Sequence, residues 1–166
     1  LLAGTAGGVF RSTDDGGTWS SASAGMTNTD ITGLGATSSA VVAGTATGAF
    51  RSTDGGLNWI PVPSGRSFLT FAGTGSALFA GTSSGVYASS DDGATWVGWN
   101  SGFPAYSGPG QMSFYYAAPC LTVWNGEVIA GAVATGRGHE IVRRSTNDEI
   151  PTGVEWPQPA TIPPTF

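Results

Sequence analysis

The stretch RSTDGGLNW at positions 51–59 nearly repeats the stretch RSTDDGGTW at positions 11–19, and ASSDDGATW follows at positions 88–96. Each copy places a serine before an acidic, glycine-containing turn that ends at a tryptophan. Two explanations compete for such a repeat. Aspartates beside glycines can hold a metal or a phosphate, or one structural unit can be built several times.

The repeat extends well beyond the turn. LLAGTAGGVF precedes the first copy, VVAGTATGAF the second and LFAGTSSGVY the third, and a degenerate fourth copy runs from Val128 to Trp156. Trp19, Trp59 and Trp96 are 40 and 37 residues apart, close to the length of one four-stranded propeller blade. The spacing predicts a chain of repeated blades.

The strands of a unit are predicted from alternation and from turn residues. In the second unit they fall at 31–37, 40–46, 48–53 and 58–62, and no window favours an amphipathic helix. We therefore predict an all-β propeller of four-stranded antiparallel blades. Residues 1–166 are expected to form a single propeller domain or a fragment of a longer propeller, with units at about 1–23, 31–62, 68–100 and 111–160 and an aromatic insertion at 98–120.

Each residue of the acidic turn has an expected structural task. Asp14 can accept hydrogen bonds from backbone N–H groups ahead of it, Gly16 can adopt a positive φ, and Trp19 can pack between neighbouring sheets. A calcium loop is a poorer match, because DDGG lacks the D-x-D-x-D-G series. The residues predicted to be structural are Ser12, Asp14, Gly16, Trp19, Ser52, Asp54, Gly56, Trp59, Ser89, Asp91, Gly93 and Trp96, with Asn147 and Trp156 in the degenerate copy.

These turns resemble a known family of repeats. The pattern Ser-x-Asp-x-Gly-x-Thr-Trp fits 12–19 and 89–96, and it fits 52–59 with Asn58 in place of threonine. It is similar to the Asp-box, or bacterial neuraminidase repeat, of sialidases, xyloglucanases, sortilin-type receptors and photosystem II assembly factors. The resemblance implies a β-propeller in which the box is an outer hairpin, remote from the central face. A fold with so many functions does not decide the activity.

Composition excludes several classes of function. The net charge is −5 and the chain has no lysine, so nucleic acid is not an expected partner and a P-loop or lysine Schiff base is excluded. No apolar run is long enough to span a membrane, and Cys120 alone cannot form an intrachain disulfide. We expect no cofactor. The low content of charge favours an exported or surface-associated protein, although residues 1–8 do not form a signal peptide.

Catalytic signals are weak. Arg11 and Arg51 recur as a strand position, which favours a structural use over an arginine triad for a sialidase substrate. Glycoside hydrolysis needs two carboxylates across a cleft, and no spacing here forces such a pair together. His139 is the single histidine and has no partner at a catalytic spacing.

The insertion at 98–120 is the strongest candidate for a ligand surface. It concentrates aromatic residues among Gly and Pro in a long loop, and such loops often carry function; the alternative is that its aromatics pack on the core. The candidate surface comprises Trp99, Tyr106, Tyr115, Arg137 and His139. The favoured hypothesis is a non-catalytic module that binds a glycan or a protein. A fragment of a sialidase- or xyloglucanase-type hydrolase and a structural subunit that self-associates through the open edge of its first blade are the alternatives.

Overall fold

The computed structural model describes residues 1–74, 77–101, 105–106, 114–115, 117–124, 127–134 and 138–145. Every regular element in these ranges is a β-strand. No helix in the described ranges is long and apolar enough to cross a membrane. The strands are β1 (Leu2–Thr5), β2 (Gly8–Arg11), β3 (Ser20–Ser21), β4 (Ile31–Ala36), β5 (Val41–Thr45), β6 (Gly48–Ser52), β7 (Ile60–Val62), β8 (Phe68–Thr74), β9 (Ala77–Thr82), β10 (Gly85–Ser89), β11 (Val97–Gly98), β12 (Ala105–Tyr106), β13 (Phe114–Tyr115), β14 (Ala117–Trp124), β15 (Glu127–Ala134) and β16 (Gly138–Ser145).

The strands form four antiparallel sheets, which we call blades, in chain order. The first blade is β1-β2-β3, the second β4-β5-β6-β7, the third β11-β10-β9-β8 and the fourth β14-β15-β16, while β12 and β13 form a separate hairpin. The all-β prediction is confirmed, and each of the four strands predicted for the second unit is present within one or two residues of its expected bounds. The first blade has three strands because its unit starts at the second strand position.

Apolar strands in the middle blades are buried on both faces. Four of the five residues of β5, with sequence VVAGT, are buried, because a sheet that lies between two others has no solvent face. Glycines bring these sheets into close contact. A Cβ on Gly81 would lie 1.9 Å from the carbonyl oxygen of Ala118 in the fourth blade, so no larger residue fits there without moving the backbone.

The hydrophobic core is a series of layers between successive blades. Trp59, Val9 and Phe50 belong to the layer between the first and second blades. The next layer joins the second and third blades. Phe79 and Trp99 of the third blade pack with Val128 of the fourth. The second and third blades are therefore each packed between two neighbouring blades, while the first and fourth each pack against one among the described residues.

The antiparallel order fixes which loops share an end of a blade. In the second blade, the turn between β5 and β6 lies at the end of the sheet where β4 begins. The acidic turn between β6 and β7 lies at the opposite end. In the fourth blade, the register aligns Ala117 of β14 with Val133 of β15, and Val133 with His139 of β16. The start of β14 and the start of β16 are thus at one end of this blade.

Candidate functional site

The second acidic turn is closed by hydrogen bonds within itself. Ser52 Oγ donates to Asp54 Oδ1 over 2.7 Å and accepts from the Gly56 N–H over 2.9 Å. The N–H of Asn58 donates to Asp54 Oδ1 over 2.9 Å, and its side-chain amide donates to Oδ2 over 2.8 Å. Both carboxylate oxygens of Asp54 are therefore used inside the turn.

The first and third turns repeat this arrangement with threonine in place of asparagine. Corresponding bonds of 2.6–2.9 Å join Ser12, Asp14 and Thr18 in the first turn and Ser89, Asp91 and Thr95 in the third. The box glycines Gly16, Gly56 and Gly93 have φ angles of 93°, 86° and 82°, a region that favours glycine. The three turns belong to three different blades.

Hydrogen bonding stabilises the ionised form of the three box acids. The side-chain and backbone donors of Thr18, followed by the hydroxyl of Ser12, lower the pKa of Asp14 to about 2. Backbone and side-chain donors of Asn58 hold the pKa of Asp54 well below its usual range. Partial burial acts to raise the pKa of Asp91, yet donors from Thr95 and Ser89 outweigh it and the pKa is lowered.

The three box tryptophans have different surroundings. Trp59 is only 2% exposed, and its indole Nε1 donates to the carbonyl of Ala22 in the first blade over 2.8 Å. Trp96 is half-buried in edge contact with Phe68, at 5.2 Å between ring centroids. Trp19 is 44% exposed, so the expectation that it packs between two sheets is wrong. The face of the first blade that points away from the second blade has no described sheet against it.

A second acid of the third turn joins two blades, and sequence analysis missed it. Asp92 accepts hydrogen bonds from the hydroxyls of Thr37 and Ser39 in the second blade over 2.7 and 2.8 Å. Its backbone carbonyl accepts a bond from Arg51 Nε of the same blade over 2.8 Å. The two hydroxyl donors lower the pKa of Asp92, and the charge of Arg51 adds to that effect. The only signal in the sequence is that this acid stands in two of the three turns.

The candidate ligand surface is only partly described. Trp99 does not belong to it, because its side chain is fully buried with the ring 4.7 Å from that of Phe79. Tyr106 and Tyr115 lie in the β12–β13 hairpin, where Tyr106 pairs with Phe114, and His139 lies in β16. Arg137, Asn147 and Trp156 lie outside the described residues.

The described part of this surface has one clear spatial relationship. The hairpin precedes β14 in the chain, and β14 starts at the end of the fourth blade where His139 also lies. No group of three or more His, Cys, Asp or Glu residues suited to a metal ion is found among the described residues. The start of β14 and His139 therefore lie at one end of the fourth blade, and in the second blade the corresponding end is opposite the acidic turn.

Comparison with known proteins identifies the fold. No family model matches the chain, and no curated protein matches its sequence. Among solved structures, the GH74 xyloglucanase from Xanthomonas campestris has a TM-score of 0.60 at 15% identity, and an ancestral GH74 enzyme has a TM-score of 0.60 at 17% identity. These matches cover 87% and 90% of this chain. A structure of YCF48 bound to D1 peptide matches 84% of the chain and 62% of its own, with a TM-score of 0.48 at 14% identity.

The chain spans 26% of the xyloglucanase and 21% of the ancestral enzyme. At 15% and 17% sequence identity, the similarity to these two enzymes is a similarity of fold. Together with the succession of antiparallel sheets, it establishes that this chain has a β-propeller fold.

Proposed function

We propose that this chain is a non-catalytic β-propeller binding module. Its ligand surface is the end of the fourth blade, formed by the β12–β13 hairpin, the start of β14 and the start of β16. The observation that carries the proposal is the register that aligns Ala117 with Val133 and Val133 with His139. It supports a common surface for the aromatic insertion and the single histidine.

The three acidic turns have a separate, structural role in this proposal. Their carboxylates already accept donors from their own turns, and they lie at the other end of the blades from the start of β16. A binding surface built away from the turns leaves the scaffold intact while its loops vary.

A polysaccharide is the proposed ligand. Tyrosine offers an apolar ring face and a hydroxyl, a combination that suits both the face and the edge of a sugar ring, and Tyr106 and Tyr115 are the tyrosines of the hairpin. A xyloglucan-type chain is the first ligand to test, because one neighbour with the same fold is named a xyloglucanase. An exported or surface-associated location fits such a ligand.

Affinity electrophoresis in gels containing xyloglucan tests this function. We expect the intact chain to be retarded and the Tyr106→Ala/Tyr115→Ala double variant to migrate as in a gel without polysaccharide. Leu57→Ala is the matched control, because Leu57 is an exposed apolar residue of the second acidic turn. Unchanged retardation of a double variant that keeps its circular dichroism spectrum contradicts the proposed surface. If no polysaccharide on a glycan array binds, the ligand is not a carbohydrate, and a protein ligand becomes the hypothesis to test.

A glycoside hydrolase part is the second candidate. It is supported by the fold shared with two GH74 enzymes over about a quarter of their length, with catalytic carboxylates expected on other blades. The protein encoded on either side of residues 1–166 tests it: further acidic-box repeats, with two carboxylates on the channel face, would support an enzyme over a binding module. A structural subunit that pairs through the open edge of β1 is the third candidate, supported by the three-stranded first blade.

A further inference from the structure

Each inner blade packs the glycine of its acidic turn onto the preceding blade. A Cβ on Gly56 of the second blade would lie 2.8 Å from Leu2 Cδ2 of the first. A Cβ on Gly93 of the third blade would lie 2.3 Å from Val42 Cγ2 of the second. The absence of a side chain at this position is therefore what allows two successive blades to meet.

The contact between the second and third blades also has a polar part. Asp92, in a left-handed conformation with φ 58°, accepts the hydroxyl bonds from Thr37 and Ser39. Arg51 Nε donates to the carbonyl of Asp92. One acid in the turn thus receives three donors from the neighbouring blade.

The first blade presents the same contact residues with no described blade against them. Ala43 and Phe50 of the second blade are buried, whereas Ala3 and Phe10 at the equivalent positions are only half-buried. We define the first-blade face as Leu1, Ala3, Phe10, Asp15 and Trp19.

Asp15 of the first-blade face has the turn position and backbone conformation in which Asp92 forms its bonds to the neighbouring blade. It occupies the equivalent position of the turn, with a φ of 56° against 58°, and it is exposed. Its carboxylate has no hydrogen-bond partner among the described residues. Asp15 therefore has the backbone conformation in which Asp92 forms its bonds to the neighbouring blade, without those bonds.

The fourth blade presents the complementary contact residues. Val42 and Phe79, which face the following blade in the second and third blades, are fully buried. Ile129 at the equivalent position of the fourth blade is only half-buried, and Trp124 on the adjacent strand is 58% exposed. We define the last-blade face as Thr122, Trp124 and Ile129.

We propose that the last-blade face of one copy of this chain docks on the first-blade face of a second copy, in the geometry by which blades pack within the chain. The occupant is a second copy because the complementary face belongs to the same chain and continues the series of apolar layers. Arg143 of β16 pairs with Ile129 of β15 as Arg51 of β6 pairs with Val42 of β5, so the docking blade has an arginine at the required register position. Such a contact is head-to-tail and joins unlike faces. It is separate from the proposed ligand surface and from edge pairing of β1.

The test uses analytical ultracentrifugation of the intact chain and of one charged variant on each face. Trp19→Glu alters the first-blade face and Trp124→Glu alters the last-blade face, both at exposed side chains. We expect the unmodified chain to exceed 16.7 kDa in a concentration-dependent way, and each variant alone to sediment as a monomer. An equimolar mixture of the two variants should form a complex of about twice 16.7 kDa, because it still contains one intact face of each kind.

Two controls keep the outcome interpretable. Leu57→Glu places the same charge at an exposed apolar residue outside both faces and should associate like the unmodified chain. Leu1→Glu repeats the change on the first-blade face at a 67% exposed residue, in case Trp19→Glu does not fold. The proposal is overturned if the unmodified chain is monomeric at every concentration. This holds whether the two faces are exposed to solvent or packed against another part of the same molecule. A mixture that remains monomeric, or association that a variant on either face leaves unchanged, also overturns the proposal.

Discussion

Arg51 Nε of the second blade donates a hydrogen bond of 2.8 Å to the backbone carbonyl of Asp92 in the third blade. This bond links a strand of one repeat to the turn of the next. Arg11 stands at the same strand position in the first blade, but its guanidinium forms no hydrogen bond within the described residues. Two equivalent arginines therefore differ in what they hold together.

Replacing Arg51 by Met should lower the free energy of unfolding by about 1–2 kcal/mol, because a charged donor to a partly buried carbonyl is lost. Methionine keeps most of the apolar stem, so packing changes little. Arg11→Met is the matched control, with an expected change within about 0.5 kcal/mol. Urea titration measures both, and equal losses would show that the bond across the blades adds no stability.

Truncation of the box tryptophans should reveal their different burial. Trp59→Ala removes a buried indole and should cost about 3–5 kcal/mol in the free energy of unfolding. Trp19→Ala should cost about 1 kcal/mol or less, because much of its indole already contacts water. Chemical unfolding at a concentration where the chain is monomeric compares the two, and a similar cost for both would contradict the described exposures.

The box glycines should differ in their tolerance of alanine. Gly93→Ala and Gly16→Ala share the strain of a left-handed alanine, about 1–2 kcal/mol. The new methyl group at Gly93 would also collide with Val42, whereas at Gly16 the nearest atom is 3.7 Å away. We expect an additional cost of about 1–3 kcal/mol for Gly93→Ala. Thermal melting of the two variants measures the difference. Equal melting temperatures would mean that the contact between the second and third blades accommodates the new methyl group without cost.

Acid should destabilise the turns in a defined range of pH. The pKa of Asp14 is lowered from 3.8 to about 2 in the folded chain by the donors of Thr18 and Ser12. A group whose pKa is depressed on folding stabilises the chain above its unfolded pKa and loses that contribution as the pH falls through the folded value. The melting temperature should therefore fall between about pH 4 and pH 2.

Asp14→Asn should make the melting temperature less dependent on pH in that range, since the asparagine does not titrate. Asp30→Asn is the control, because the Asp30 carboxylate accepts no hydrogen bond within the described ranges, and it should keep the profile of the unmodified chain. Circular dichroism melts from pH 7 to pH 2 measure all three proteins. Identical profiles for both variants would exclude Asp14 as a source of the acid sensitivity.

The strands and turns were predictable because they depend on residues close in sequence. Alternation placed the four strands of the second blade, and the Ser-Asp-Gly pattern indicated a turn that satisfies its own donors. Contacts between repeats were not predictable in the same way. Trp19 and Trp59 occupy identical places in their units, yet their burial differs because only Trp59 has a preceding blade to pack against.

The candidate site was less accessible to sequence reasoning for the same reason. Trp99 begins the aromatic insertion, but its backbone N–H donates to the carbonyl of Val86, which directs it along the third blade and into the layer with Phe79. Asp92 occupies a turn position that differs among the copies, since Gly55 stands there in the second copy. Its role depends on hydroxyls more than fifty residues away in the chain.

The box hydrogen bonds have a further consequence for how the chain can fold and grow. The residues that they join are at most four positions apart, so the entropy lost in closing each of the three described turns is small, and local contacts of this kind favour early formation of a turn during folding. Association of neighbouring units then adds one apolar layer at a time. A duplicated gene segment that encodes one unit would thus encode the residues that close its own turn. The new unit would then need only an adjacent blade against which to pack its apolar face.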